Sequence, residues 1–187
     1  MSKKDKPSPP LPSRLPGPGT SPGFLLWKVS NAWQRRQRAA LEPFGLTHSQ
    51  FVLLATATWF GASETLTQTR LAELSGVDPM TTSQVVRALE AARLIERRSH
   101  PDDPRAKAIL VTEAGRLKAS RAVVAVEDTD ADFFAPLAAS SAQLVKIFDL
   151  LVRAEANRSD VGSAPHSGDD PTKRGNTQGK SGRRRRQ

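Results

Sequence analysis

The chain has 187 residues, room for one domain with a substantial core plus tails, and Lys+Arg 28 against Asp+Glu 19 give it a formal charge of +9. It contains no cysteine, which excludes disulfides, thiolate metal sites and cysteine-based peroxide sensing. Residues 1–21 carry +3 and residues 158–187 carry +5, leaving +1 between them, so the basic balance belongs to the ends and does not by itself diagnose a nucleic-acid-binding domain.

Residues 1–22 hold much of the proline and few large apolar side chains, and are expected to be disordered. Residues 24–41 (FLLWKVSNAWQRRQRAAL) have the composition of a helix with Leu26, Val29, Trp33 and Ala40 as its inward stripe, ended by Pro43 and Gly45. Arg35, Arg36 and Arg38 on it read as a solvated face, or as a phosphate-binding patch. Thr47 is placed to cap a second helix to about Trp59, with Phe51, Leu54, Ala55 and Thr58 on one side. Residues 61–65 read as a connector.

Thr67 can then cap a short helix, QTRLAELS, in which Leu71, Ala72 and Leu74 are apolar and which Gly76 stops. Asp78 can cap the next helix, and Pro79 suits its first position because a missing N–H costs nothing there. Thr82, Val85, Val86 and Leu89 recur at helical spacing and should face inward. Met80, Thr81, Ser83, Gln84 and Arg87 are left outward, a set of short polar groups and one cation suited to base-pair edges in a DNA major groove. Residues 94–98 and 107–111 read as strands around SHPDDPRA, whose Pro and Asp residues favour a turn.

Residues 113–134 (EAGRLKASRAVVAVEDTDADFF) are helix-compatible, with Leu117, Val124 and Phe134 as candidate buried residues. Pro136 punctuates the pattern. Residues 140–156 follow as a last amphipathic helix with Leu144, Ile147, Phe148 and Leu151 on its apolar face. Residues 158–187 turn to Gly, Ser, Asp and Asn before the arginine run at 183–186, and are expected to be a disordered basic tail.

Two short helices joined through a glycine corner form a helix-turn-helix, and the basic hairpin after it makes a winged helix. The segment LAELSGVDPMTTSQVVRALEAARLIERRSHPDDPRAKAILVTEAGR resembles the DNA-binding half of MarR-type transcriptional regulators, and the upstream GLTHSQFVLL resembles the start of that family's second helix. Asp103-x-Arg105 in the turn, followed by Val111-Thr112-Glu113-Ala114-Gly115, is the most specific part of the match. The resemblance implies a mainly α protein with a small β-hairpin wing (α+β), a winged helix-turn-helix whose flanking helices form a dimerisation bundle. It places that domain at 23–157, with the helix-turn-helix and wing at about 66–112. It implies a homodimer that binds pseudo-palindromic operator DNA and releases it when a small molecule binds. The chain departs from the family pattern at Arg93, where glycine is common, at Gln84, where a basic residue is frequent, and at Pro79, where lysine often stands.

On that reading Thr81, Ser83, Gln84 and Arg87 enter the major groove, Gln84 suiting adenine and Arg87 guanine or a phosphate. Arg105, held by Asp103, enters the adjacent minor groove, while Arg97, Arg98 and Lys107 bind phosphates or flank that entry. The resemblance also implies an effector pocket, to which Trp27, Trp33, His48 and Phe51 are assigned as aromatic lining with one titratable group for a small aromatic effector, phenolic or carboxylate. Plain core packing is the competing account of those aromatics.

No enzyme signature is present: no G-x-S-x-G elbow, no phosphate-binding glycine loop, and only His48, His100 and His166 as histidines. No metal or cofactor is expected. The N-terminal segment is not a secretory signal and no apolar run approaches a membrane span, so a cytoplasmic protein is expected. Two other functions remain open, a winged-helix protein-interaction module and a basic protein that binds DNA non-specifically through its tails.

Overall fold

The computed structural model describes residues 11–162, with side chains to 158. The disorder expected of residues 1–10 and 163–187 falls outside that range. Pro18–Thr20 forms a short 3-10 turn, and α1 (Pro22–Leu41) starts where the disordered segment was expected to end. Ser21 is the reason: its side chain accepts from the Phe24 amide at 3.3 Å, with Pro22 at the first helical position.

The 3-10 turn Glu42–Phe44 and left-handed Gly45 (φ 62°) lead into α2 (His48–Phe60). Thr47 and Gln50 close a reciprocal capping box at its start. Next come β1 (Leu66–Thr67), α3 (Gln68–Ser75) and α4 (Pro79–Ala91). β2 (Ile95–Ser99) and β3 (Lys107–Val111) precede α5 (Glu113–Phe134). The architecture is the expected winged helix-turn-helix, mostly helical with a small antiparallel sheet. The sheet has three strands rather than two, in the order β1-β3-β2, because Leu66 and Thr67 add to the free edge of β3 opposite Ile109 and Ala108. Two residues carry too little pattern to be recognised as a strand from sequence.

α2 is the centre of the core. It packs against α3, α4, α5 and β3, and buries Phe51, Leu53, Leu54 and Ala57, so its inward face is wider than the single expected stripe. Leu41, Leu66, Leu71, Val86, Leu89, Leu94, Ile95 and Ile109 complete the same cluster. The inward faces of α1 and α5 differ from expectation. Leu26 and Val29 are exposed, and α1 buries Gln37 and Leu41 instead. Leu117 and Val124 are likewise exposed, and α5 buries Gly115, Ala119, Ala122 and Val126. Small side chains let α5 approach its neighbours closely, which leaves the larger ones on the opposite face.

The junction of sheet and α5 explains the VTEAG motif. The Thr112 hydroxyl donates to the Arg93 carbonyl at 2.8 Å and accepts from the Gly115 amide at 3.0 Å, capping α5 while tying it to the end of the helix-turn-helix. A Cβ on Gly115 would stand 2.1 Å from the Leu94 carbonyl oxygen, so only glycine permits this approach. Arg93 is left-handed at φ 57°, among the described residues the one non-glycine with positive φ.

α6 (Ser141–Gly162) belongs to a second compact unit and runs five residues past the expected end of the domain at 157. Val145, Ile147, Phe148, Leu150, Leu151 and Val152 are exposed on it. By length and composition the stretch Glu113–Arg158 passes for a membrane span, with mean hydropathy 1.3 over 18 residues, contrary to the expectation that no run comes near one. None of that 18-residue window is buried within the structure, and the α6 part of the stretch carries an Asp149–Arg153 ion pair.

Candidate nucleic-acid interface and neighbouring cleft

Three residues, Gly76 to Asp78, separate α3 from α4, and Gly76 takes the left-handed corner at φ 67°. The Asp78 carboxylate accepts from the Thr81 amide at 2.9 Å. Hydrogen bonds from Thr81 hold that carboxyl below its ordinary titration range. Thr82, Val86 and Leu89 are buried, and the Thr82 hydroxyl donates to the Val77 carbonyl at 3.3 Å. Burying that row turns the next one outward: Gln84 and Arg87 are exposed, Thr81 and Ser83 are half-buried at its edge, and Met80 is 75% exposed.

The wing is β2, β3 and the turn between them. Arg97, Arg98 and Lys107 are all exposed, but two of these cations are already engaged. Arg97 pairs with Glu90 of α4 at 2.5 Å, which lowers the Glu90 titration, and Arg98 pairs with Glu96 at 2.7 Å. Asp103 does not hold the Arg105 guanidinium; its carboxylate accepts from the Arg105 backbone amide at 2.9 Å and its carbonyl from the Ala106 amide at 3.0 Å. It therefore shapes the turn and leaves the Arg105 side chain at the tip without an ion-pair partner among the described residues.

The four aromatic-pocket candidates are not gathered in one place. Trp27 is 62% exposed and stacks on Phe24, and Phe51 lies in the core. Only Trp33 and His48 meet, edge to face at 5.0 Å. Behind them sits a polar cluster that sequence reasoning missed. Trp33 Nε1 and Gln37 Nε2 both donate to Asp130 Oδ1 at 2.6 Å. Burial lowers the His48 titration, against an opposing attraction from Asp130. Gln37 Oε1 is the one buried side-chain polar atom without a partner among the described residues. The i, i+4 spacing of Trp33 and Gln37 was a legible signal; Asp130, 93 residues further on, had none.

An open cleft of about 620 Å³ adjoins His48, with Arg35 and Arg38 of α1 in one wall and Gly45 to Thr47 in the other. No group of three or more His, Cys, Asp or Glu able to hold a metal occurs among the described residues.

The family model described as MarR family matches residues 46–107, which hold the helix-turn-helix and β2 of the wing. An HTH-type transcriptional regulator of Bacillus subtilis, YdcH, is 46% identical over 124 residues, covering 66% of this chain and 84% of its own. This chain belongs to the MarR family. It is a winged helix-turn-helix transcriptional regulator. Its MarR relatives include the HTH-type transcriptional repressor Rv2887 of Mycobacterium tuberculosis, 33% identical over 63% of this chain and 82% of its own. The structure of Rv2887 in complex with DNA aligns at TM-score 0.54 and 30% identity over 70% of this chain and 97% of that one, and Rv2887 has also been solved with salicylic acid. CouR from Rhodococcus jostii RHA1, bound to p-coumaroyl-CoA, aligns at TM-score 0.63 and 26% identity over 72% of this chain and 92% of that one.

Proposed function

We propose that this protein is a ligand-responsive repressor that binds pseudo-palindromic operator DNA as a homodimer and acts in the cytoplasm without catalysing a reaction. The observation that carries the reading is the outward row Thr81, Ser83, Gln84 and Arg87 on α4, next to a wing tip whose Arg105 guanidinium has no ion-pair partner among the described residues. The polar row reads base edges in the major groove, with Gln84 toward adenine and Arg87 toward guanine or a phosphate. Arg105 enters the neighbouring minor groove, and Lys107 binds backbone phosphate.

The exposed apolar side chains of α1 (Phe24, Leu25, Leu26 and Trp27) and those of α6 are covered by a second copy. Twofold pairing sets two α4 helices to half-sites about 34–36 Å apart, one duplex turn. Light scattering at micromolar concentration should return the mass of a dimer, and a monomer mass would remove this part. Effector response is supported by the salicylate and p-coumaroyl-CoA complexes of relatives and by the cleft beside His48.

The deciding experiment is selection of bound duplexes from a random library, followed by gel-shift titration with random competitor. An enriched inverted repeat is expected. Equal affinity for all duplexes would overturn the reading, and loss of binding on deleting residues 163–187 alone would transfer it to the tail.

A further inference from the structure

Met80 is the chain's one methionine besides Met1, and it stands in the open on the first turn of α4, 75% exposed. A single apolar side chain in water is ordinary on a protein surface and by itself means nothing. Its place on the helix gives it a meaning. Met80, Gln84 and Arg87 are all exposed and follow one another at helical spacing, so they make one stripe along the outer face of α4. Thr81 and Ser83 flank that stripe half-buried, while Thr82, Val86 and Leu89 go into the core. A duplex that meets Gln84 and Arg87 therefore meets Met80 as well, roughly 6 Å nearer the start of the helix than Gln84 at about 1.5 Å per residue.

That end of the helix is closed to the contact a helix start ordinarily makes, open amides against a phosphate. Pro79 has no N–H, the Thr81 amide goes to the Asp78 carboxylate at 2.9 Å, and the Thr82 amide goes to the Asp78 carbonyl at 2.9 Å. Hydrogen bonds from Thr81 keep the Asp78 carboxylate ionised, which sets a negative charge where a phosphate would approach. What points outward beside it is a thioether, with no proton to donate and little power to accept one. Hydrogen-bonded readout of base edges is closed to such a group. The C5-methyl of thymine suits it, the one methyl that base pairs present in the major groove. An unbranched side chain with three rotatable bonds can settle on that methyl without moving the helix.

We propose that Met80 is a base-reading residue of α4, which specifies a thymine in each half-site by apolar contact between its thioether and the C5-methyl group. The assignment rests on the operator-binding reading above and adds a side chain and the base it reads to those of Gln84 and Arg87.

The test starts from the inverted repeat that selection from the random library returns. Each thymine in it, on either strand, is replaced in turn in both half-sites by deoxyuridine, which pairs with adenine in the same way and lacks only the methyl. Wild type, Met80→Ala, Met80→Leu and Gln84→Ala, all as full chains, are titrated in gel shifts at one salt concentration. At one thymine position wild type is expected to lose about fifteenfold in affinity, roughly fourfold for each methyl no longer covered. Met80→Ala should bind the thymine duplex more weakly and no longer distinguish it from the uracil duplex. Met80→Leu should keep most of the discrimination, and Gln84→Ala should bind more weakly overall with the thymine-to-uracil ratio intact. Wild type indifferent to uracil at every position would overturn the assignment, whatever the variants do, and so would a selected repeat with no fixed A·T pair. Met80→Ala with the full ratio would overturn it too, since the methyl would then belong to Thr81 or another side chain. A library that yields no preferred sequence would sink the operator reading and Met80 together, whereas a selected operator blind to uracil sinks Met80 alone.

Discussion

Arg97 of β2 donates through Nε and an Nη to one oxygen of Glu90 on α4, at 2.9 and 2.5 Å, so the wing and the recognition helix share an ion pair. Both partners are about one-third exposed, so solvent screens the pair and it adds little to stability. Its larger consequence is for DNA binding. A cation already facing a carboxylate displaces fewer counterions from a phosphate than a free one does. Arg97→Gln and Arg98→Gln should therefore change the slope of log K against log salt little, whereas Lys107→Gln and Arg87→Gln should each reduce it by about 1. Gel-shift titrations at four or more salt concentrations measure these slopes. A full unit lost in Arg97→Gln would show that Glu90 gives Arg97 up on binding.

The wing tip yields a second expectation. Because Asp103 binds the Arg105 backbone amide and not its guanidinium, the two residues act in series. Arg105→Ala should weaken operator binding by about 1–3 kcal/mol if the side chain reads the minor groove. Asp103→Ala should cost less, about 1 kcal/mol, by loosening the turn. The double variant should fall short of the sum, since a misplaced turn no longer matters once the arginine is gone. Strict additivity in the double-mutant cycle would separate the two residues.

Much of this interface was legible in the sequence because its signals are local. Asp78, Thr67 and Thr47 each cap the helix that begins next to them, and Gly76 takes the left-handed corner between α3 and α4. The inward rows of α1 and α5 were not legible, because large apolar residues on those helices face outward and small ones face the core. A lone chain's periodicity cannot distinguish a face buried within the domain from one kept for another copy. The cluster of Trp33, Gln37, His48 and Asp130 was hidden for a different reason: its parts come from three helices far apart in sequence.

Gly115 is the most constrained position outside the interface. An added methyl would stand 2.1 Å from the Leu94 carbonyl oxygen and 2.9 Å from a Val111 methyl, and the first of these is backbone that cannot turn aside. Gly115→Ala should destabilise the fold by about 2–3 kcal/mol through overpacking. That corresponds to a fall in Tm of roughly 4–12 °C for a domain of this size, readable by calorimetry. An unchanged Tm would mean that α5 can slide away from the sheet at no cost.

Arg93 offers the opposite change. At φ 57° its side chain crowds its own carbonyl, and glycine is free of that penalty. Its side chain makes no hydrogen bond among the described residues, while its carbonyl accepts from Thr112, a bond that glycine keeps. Arg93→Gly should raise stability by up to about 1 kcal/mol, less the greater freedom glycine gives the unfolded chain. A lower Tm in the variant would show that the arginine holds contacts outweighing its strain.

The last expectation concerns pH. Burial depresses the His48 titration in the folded protein, against a partial counter-effect from Asp130, so the unfolded chain binds a proton at higher pH than the folded one. The stability this residue leaves intact is complete above its unfolded value near 6.5. It is lost as pH falls from there through the depressed folded value, since the unfolded state then holds more protons. The loss levels off below the folded value, where both states are protonated. His48→Gln should accordingly flatten the decline of Tm with acidification just below pH 6.5, about the unperturbed histidine value, while changing it little at pH 8. Thermal melts of both proteins across that range decide the matter: parallel curves would place the acid sensitivity elsewhere, and a steeper decline in the variant would mean that the Asp130 attraction exceeds the burial penalty.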